Sequence, residues 1–417
     1  MKLYHGDCLE ELKKIPDNSV DSIVTDPPYG LSNTKPQQVA DVLKAWVTGD
    51  TVSVPAKRGG FMGKDWDSFV PPPAVWEECM RVLKPGGHMA VFAGARTQDL
   101  MGLSIRLAGF EIRDTLGWVY GSGMPKSHNV SKAIDRAAGK LAPESTGFTV
   151  AGYSHNPDKL QHTAPSRGYI PPKPVTDEAQ QWSGWGTALK PAIEPIILAR
   201  KPLDGTVANN VLAHGVGGLN IDACRVPGTP WKSHMATGLA ETKYFSEGEA
   251  KVIEKSPHDA GRFPANVLLD EHAAKEMDEQ SGNVKGVVGM KKVSGGHNFN
   301  IGEHTPQKFN KTSGQIKDSG GASRFFPVFK YQAKAPKKER PVIEREDGTK
   351  IQHPTVKPVA LMEWLVTLVT PPNGVVLDPF AGSGTTLQAA LNEGFDPIGV
   401  EQDVDYIQLI NKRLDPL

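Results

Sequence analysis

The chain is 417 residues long, and its 47 Lys plus Arg are balanced by 47 Asp plus Glu. A net charge of zero excludes a globally basic protein that coats nucleic acid, though not a local basic face. Gly (43) and Pro (34) are frequent, yet stay below the ~25–30% that marks low complexity, so the composition is that of a loop-rich globular enzyme. Cys8, Cys79 and Cys224 form no Cys-x-x-Cys pair, which speaks against a disulfide framework or a cysteine zinc site. No His-Glu-x-x-His string occurs either, and no metal site is expected. No segment approaches ~18 consecutive apolar residues. Asp7, Glu10 and Glu11 stand where a signal peptide would be apolar, so a soluble, cytoplasmic protein is expected.

In chain order, Asp21–Thr25 is a short apolar strand that ends on Asp26-Pro27-Pro28-Tyr29, where two prolines stop any ladder. Gly30–Pro73, rich in Gly, Pro, Lys and Ser, reads as irregular. Ala74–Leu83 reads as a helix, and Lys84-Pro85-Gly86-Gly87 as its stop. A buried strand (His88–Ala93), a helix (Thr97–Ala108) and one or two strands (Phe110–Tyr120) follow. The centre, about Gly121–Pro341, alternates Gly/Pro/Ser-rich loops with short apolar pieces such as Glu194–Leu198 and Asn266–Leu269. From Ser281 to Arg340 twelve Lys/Arg stand against three Asp/Glu, so a basic face is expected there. Val359–Val369 has helical spacing, and Val375–Leu377 is a strand running into Asp378-Pro379-Phe380-Ala381-Gly382-Ser383-Gly384. Thr385–Asn392 reads as a helix, Pro397–Val400 as a strand ending at Glu401, and Asp403–Lys412 as a final helix. Strands alternating with helices of this length predict an α/β protein with a parallel, doubly wound sheet.

The segment Val375–Gly384 places a carboxylate at a strand end, then a Gly-x-Gly turn, then a helix start with unpaired amides. The glycines let the backbone approach a ligand closely, which is how such sheets take adenosine-containing cofactors. Leu387 stands where a dinucleotide fingerprint needs Gly or Ala, and Gly384-Thr385-Thr386 lacks the lysine of a P-loop. A ligand without a pyrophosphate fits best. Glu401 is placed to accept hydrogen bonds from ribose hydroxyls.

In the tetrad, proline's fixed φ makes a rigid extended corner that presents the Asp26 carboxylate, carbonyls and the Tyr29 ring. These parts suit a flat amino-bearing ring: acceptors for its amino hydrogens and a face for stacking.

Together the two motifs resemble the permuted β group of DNA amino-methyltransferases that use S-adenosylmethionine, including phage and prophage members. His5-Gly6-Asp7-Cys8, Leu83-Lys84-Pro85-Gly86-Gly87, Gly121-Ser122-Gly123-Met124-Pro125-Lys126-Ser127 and His353-Pro354-Thr355-Val356-Lys357-Pro358 add to the resemblance. It implies a circularly permuted, Rossmann-like methyltransferase sheet. Residues 1–140 would form the catalytic half and 341–417 the cofactor half. The loop-rich insertion 141–340 would recognise the target. It further implies that Asp26, Pro27, Pro28 and Tyr29 are catalytic. Asp7, Cys8, Thr355, Lys357, Asp378, Phe380, Gly382, Gly384, Thr385 and Glu401 would bind the cofactor. Asp7 would meet the adenine, and Thr355 and Lys357 would line the methionine end. Double-stranded DNA would be the substrate, with the target base flipped out of the helix, and a homodimer is the family expectation.

Asp in the tetrad points to the adenine N6 amino group, with cytosine N4 as the alternative. RNA or protein methylation and a catalytically silent DNA-binding module stand further off. The Lys57–Trp66 loop is read as a DNA-contacting loop, Trp182 and Trp185 as packing residues, Cys8 and Cys79 as packed thiols, and His353 as structural.

Overall fold

In the computed structural model, strands and helices alternate from the first residues. They run β1 (Lys2–His5), α1 (Cys8–Leu12), β2 (Val20–Thr25), α2 (Pro36–Val47), α3 (Pro73–Val82), β3 (Leu83–Phe92), α4 (Gln98–Leu107) and β4 (Glu111–Val119). Next come α5 (Val130–Ala137), α6 (Asp177–Gln181), β5 (Ile193–Arg200), α7 (Val207–His214), β6 (Val267–Asp270) and α8 (Glu271–Ser281). Five short strands follow: β7 (Val284–Lys285), β8 (Ser319–Gly320), β9 (Val328–Phe329), β10 (Ile343–Glu344) and β11 (Lys350–Ile351). The chain closes with α9 (Val359–Val369), β12 (Val375–Asp378), α10 (Thr385–Asn392), β13 (Asp396–Glu401) and α11 (Val404–Leu414). The structure describes residues 1–32, 34–55, 65–121, 123, 127–140, 173–227, 261–285, 319–329, 339–345 and 347–415.

Nine strands form one sheet in the order β1-β13-β12-β2-β3-β5-β4-β6-β9. The five strands from β1 to β3 are mutually parallel, as are β4, β6 and β9. Strand β5 runs antiparallel to both β3 and β4, so the sheet is mixed where the sequence predicts a parallel one. An apolar run such as Ile196-Ile197-Leu198 is equally at home in either direction, so its direction is set by tertiary placement. Strands β5, β6 and β9 come from the stretch 141–340, so that stretch contributes to the sheet itself.

Successive strand residues point to opposite faces, and the core divides accordingly. Ile23, Met89 and Val91 pack on one face with Leu12 of α1, Trp46 of α2, Trp76 and Cys79 of α3, and Met101 and Ile105 of α4. Their neighbours Val24, Ala90 and Phe92 pack on the other with Leu361, Leu365 and Val366 of α9 and Ala389 and Ala390 of α10. Helices thus cover both faces, which makes the sheet doubly wound and Rossmann-like. Residues such as Trp76, Ile23 and Leu365 have no exposed surface, and burying each contributes ~1.5–3 kcal/mol.

Helix α2 lies inside the stretch that reads as irregular. Val39, Val42, Leu43 and Trp46 recur at helical spacing after a proline in the first turn, and Trp46 donates Nε1–H to Ser53 O at 2.7 Å. The Lys84–Gly87 segment is not a separate stop. Helix α3 gives way to β3 at Leu83, and the register against β2 shifts between the Val20–Leu83 and Ser22–His88 pairs.

The chain divides into two compact units, residues 1–121 with 193–417, and residues 122–192. In the smaller one Asp135 of α5 accepts hydrogen bonds from Val175 N (2.9 Å) and Thr176 N (3.0 Å), tying α5 to the start of α6. Trp182 and Trp185 meet edge-on at 5.0 Å. They remain 40% and 60% exposed, so they pack on each other rather than in a core.

Candidate active site

The parallel register aligns the carboxyl ends of four neighbouring strands. His5 pairs with Glu401 and Asp378 with Gly399, while Leu377 lies beside Ile23, two residues before Thr25. The connection from β12 leads to β13 on one side, and that from β2 leads to β3 on the other. The order therefore reverses between β12 and β2, and a doubly wound sheet opens its ligand crevice at such a point. Asp7, Glu401, Asp378 and Asp26 all stand along this edge, in sequence order far apart and in space on adjacent strands.

The glycine turn occupies the middle of the edge. Gly382 and Gly384 adopt left-handed φ values of +53° and +79°. A Cβ on Gly382 would lie 3.1 Å from His353 Nε2, and one on Gly384 3.1 Å from Ile410 Cγ1. The turn is held from behind by Arg413 of α11, whose Nε donates to Ser383 O at 2.7 Å. Asp378 is buried and accepts from Thr25 Oγ1 (2.6 Å) and Phe380 N (3.1 Å), which fastens the ends of β12 and β2 together. Burial pushes the Asp378 carboxyl up to about 6 against the pull of Thr25, Thr386 and Phe380. Phe380 leans on Trp76 at 6.2 Å between ring centres, and Thr385 is buried at the start of α10.

Glu401 uses both oxygens: Oε2 accepts from Gly382 N at 2.7 Å and Oε1 from Asp403 N at 2.8 Å. Each oxygen keeps a lone pair for a further donor. Burial raises its carboxyl from 4.5 to about 7, opposed by those two amides and helped by Asp403 and Asp378. The folded chain thus retains a proton that the unfolded chain has released. Stability from this group is fully present below pH 4.5 and lost as pH rises through about 7. Glu401→Gln does not titrate. The stability of the wild type relative to this variant should therefore fall by on the order of 3 kcal/mol between about pH 4.5 and about pH 8. Urea midpoints measured across that range check this, and a constant difference contradicts it.

At the end of β1, Asp7 caps α1 by accepting from Leu9 N at 2.9 Å and is exposed toward the edge. Gly6 N donates to Glu401 O at 3.0 Å, joining the two strand ends. Cys8 is half-buried and Cys79 fully buried. Burial pushes the Cys8 thiol up to about 12 and that of Cys79 well above its usual range, so both are inert packed thiols.

The tetrad is braced through its backbone. Asp67 Oδ1 accepts from Tyr29 N (2.7 Å) and Gly30 N (3.0 Å), and Thr97 Oγ1 donates to Tyr29 O at 2.6 Å. Tyr29 donates its hydroxyl to Asp26 Oδ1 at 2.7 Å. Burial, then Asp26 and Glu194, push that hydroxyl well above the ordinary phenol range.

Lys357 lies at this tetrad, with Nζ 3.0 Å from Asp26 Oδ2 and 2.9 Å from Tyr29 Oη. Its other partner is Glu194 Oε2 at 2.9 Å, a residue the sequence does not single out. Burial would lower the ammonium, but Asp26 and Glu194 outweigh it and hold Lys357 above the usual lysine range. His353 bonds through Nδ1 to Thr355 O and meets the Tyr406 ring edge-on at 4.6 Å, a structural role, while Thr355 is exposed. Residues 57–64 of the Lys57–Trp66 loop, most of Gly121–Ser127 and most of the basic Ser281–Arg340 stretch lie outside the described residues.

A family model described as DNA methylase matches residues 20–165 and 172–412. The chain belongs to this DNA methylase family. The type II methyltransferase M.HindIII of Haemophilus influenzae is 25% identical over 239 residues, 52% of this chain and 64% of that protein. The DNA adenine methyltransferase YhdJ of Escherichia coli is 44% identical over 63 residues, 15% of this chain and 21% of that protein. The chain thus spans less than two thirds of the length of these relatives. Among solved structures, the M1.HpyAVI–SAM complex aligns over 99% of this chain and 98% of its own, with 16% identity and a TM-score of 0.39. The cytosine-N4-specific PvuII DNA methyltransferase aligns over 99% and 85%, with 14% identity and a TM-score of 0.41.

Proposed function

We propose that this methylase transfers a methyl group from S-adenosylmethionine to the exocyclic N6 amino group of adenine in double-stranded DNA. The observation that carries the reading is the shared edge. The tetrad carboxylate and the glycine turn stand at neighbouring strand ends, fastened by the Thr25–Asp378 hydrogen bond. The groups present fit the cofactor. The left-handed Gly382 and Gly384 let the backbone run where a side chain has no room. Glu401 has lone pairs left for a ribose diol, and Asp7 offers a further acceptor at the adenine end.

When bound, the cofactor would supply an activated, positively charged methyl group, and Asp26 would take up the amino proton released on transfer and pass it to water. The difficulty lies with the nucleophile, because an exocyclic amino group shares its lone pair with the ring. Asp26 and the Pro27 carbonyl accept its two hydrogens and turn the lone pair toward the methyl, which is positioning plus electrostatic stabilisation. Tyr29 supplies the stacking face and Pro28 the stiffness of the corner. The base must leave the duplex to reach this corner, at a cost of a few kcal/mol.

The tetrad precedes the glycine turn in the chain, and we read this as the permuted β-group order. Target recognition is assigned within residues 141–340, beyond the strands that this stretch gives to the sheet. The test uses methyl-labelled S-adenosylmethionine and duplex DNA lacking adenine methylation, digested to nucleosides for mass spectrometry. Label in N6-methyldeoxyadenosine supports the reading. Label in N4-methyldeoxycytidine keeps the mechanism and overturns the base, and absence of label overturns the activity.

A further inference from the structure

Strand β5 is the antiparallel strand of the sheet, and this brings its first residues, not its last, to the edge where the parallel strands end. Glu194, the second residue of β5, therefore stands beside the tetrad although it is 163 residues from Lys357 in sequence. Its Oε2 lies 2.9 Å from Lys357 Nζ and 3.4 Å from Tyr29 Oη. The ammonium also sits 4.7 Å from the Phe92 ring centre and 5.2 Å from that of Tyr29, so aromatic faces, two carboxylates and a phenol enclose it.

A lysine paired with Asp26 alone would cancel the carboxylate on which amino-group activation depends. It would also repel a cationic methyl donor. Glu194 removes both difficulties: it takes a share of the ammonium and leaves Asp26, Lys357 and Glu194 with one net negative charge. We propose that Glu194 is a positioning residue that shares the Lys357 ammonium with Asp26, so that the lysine does not neutralise Asp26 outright, and makes the site favour the sulfonium cofactor over its neutral thioether product. The inference rests on the reading of this edge as a methyl-transfer site.

Calorimetric titration of the full chain with S-adenosylmethionine and with S-adenosylhomocysteine tests it without turnover. In Glu194→Gln the preference for the sulfonium form should fall about ten-fold, whereas Glu194→Asp, which keeps the charge, should stay within about three-fold of the wild type. The double variant Glu194→Gln/Lys357→Met removes one charge of each sign and should restore the wild-type ratio, which also covers the case in which the single variant does not fold. An unchanged ratio in Glu194→Gln, or a lost ratio in the double variant, overturns the role of Glu194. A wild-type protein that binds neither compound overturns the functional reading beneath it.

Discussion

Replacing Asp26 with alanine is expected to lower methyl transfer by about 10²–10³-fold or more, with affinity for S-adenosylmethionine falling by no more than the about ten-fold that loss of one negative charge beside Lys357 predicts. The carboxylate is the acceptor that turns the amino lone pair toward the methyl, so its loss acts on the chemical step. The glycine turn and Glu401 are built from β12 and β13 and make no direct bond to Asp26, so the cofactor side should stay formed. Lys357 retains Glu194 as a counter-charge at 2.9 Å, and Asp67 still braces the backbone at Tyr29 N and Gly30 N. Single-turnover transfer and calorimetric affinity, measured on the same preparation, separate the two effects. Loss of cofactor binding with an intact fold would mean that Asp26 serves the cofactor instead.

Lys357→Met should destabilise the protein by about 3 kcal/mol, the low end of the range for breaking a buried pair. Its side chain is 9% exposed, and its removal leaves Asp26 and Glu194 facing each other without a cation. The low end applies because those carboxylates keep 21% and 26% of their surface in water. Adding Glu194→Gln should recover part of the loss, since one of the two stranded charges disappears. Urea midpoints for the two single variants and the double variant give the coupling directly. A cost of Lys357→Met below about 1 kcal/mol would place the cluster among weak surface pairs.

The parts of this site that are written locally could be read from the sequence. A strand ending in Asp26-Pro27-Pro28-Tyr29 and another ending in Asp378 before Gly382 and Gly384 carry their own turn chemistry, and helix α9 falls on the spacing of Val359–Val369. What escaped was set at long range or masked by composition. Helix α2 sits in a stretch whose glycines, prolines and lysines outweigh a clear apolar stripe of Val39, Val42 and Trp46. The direction of β5 leaves no mark in an apolar run, so the arrival of Glu194 at the tetrad had no local signal. Lys357 was legible as part of a motif, but its partners depend on a sheet order that joins residues from three distant segments. The one available clue was a glutamate beside the apolar run Ile196–Ala199 of β5, which is out of place unless something awaits its charge.

The central claim is that one edge of the sheet holds the adenosine cofactor beside the tetrad, and the most direct measurement is a crystal structure with S-adenosylhomocysteine bound. The account predicts the ribose hydroxyls on Glu401, the adenine toward Asp7, and the sulfur facing Asp26 across the glycine turn. A ligand seated elsewhere, or one whose sulfur points away from Asp26, would contradict it.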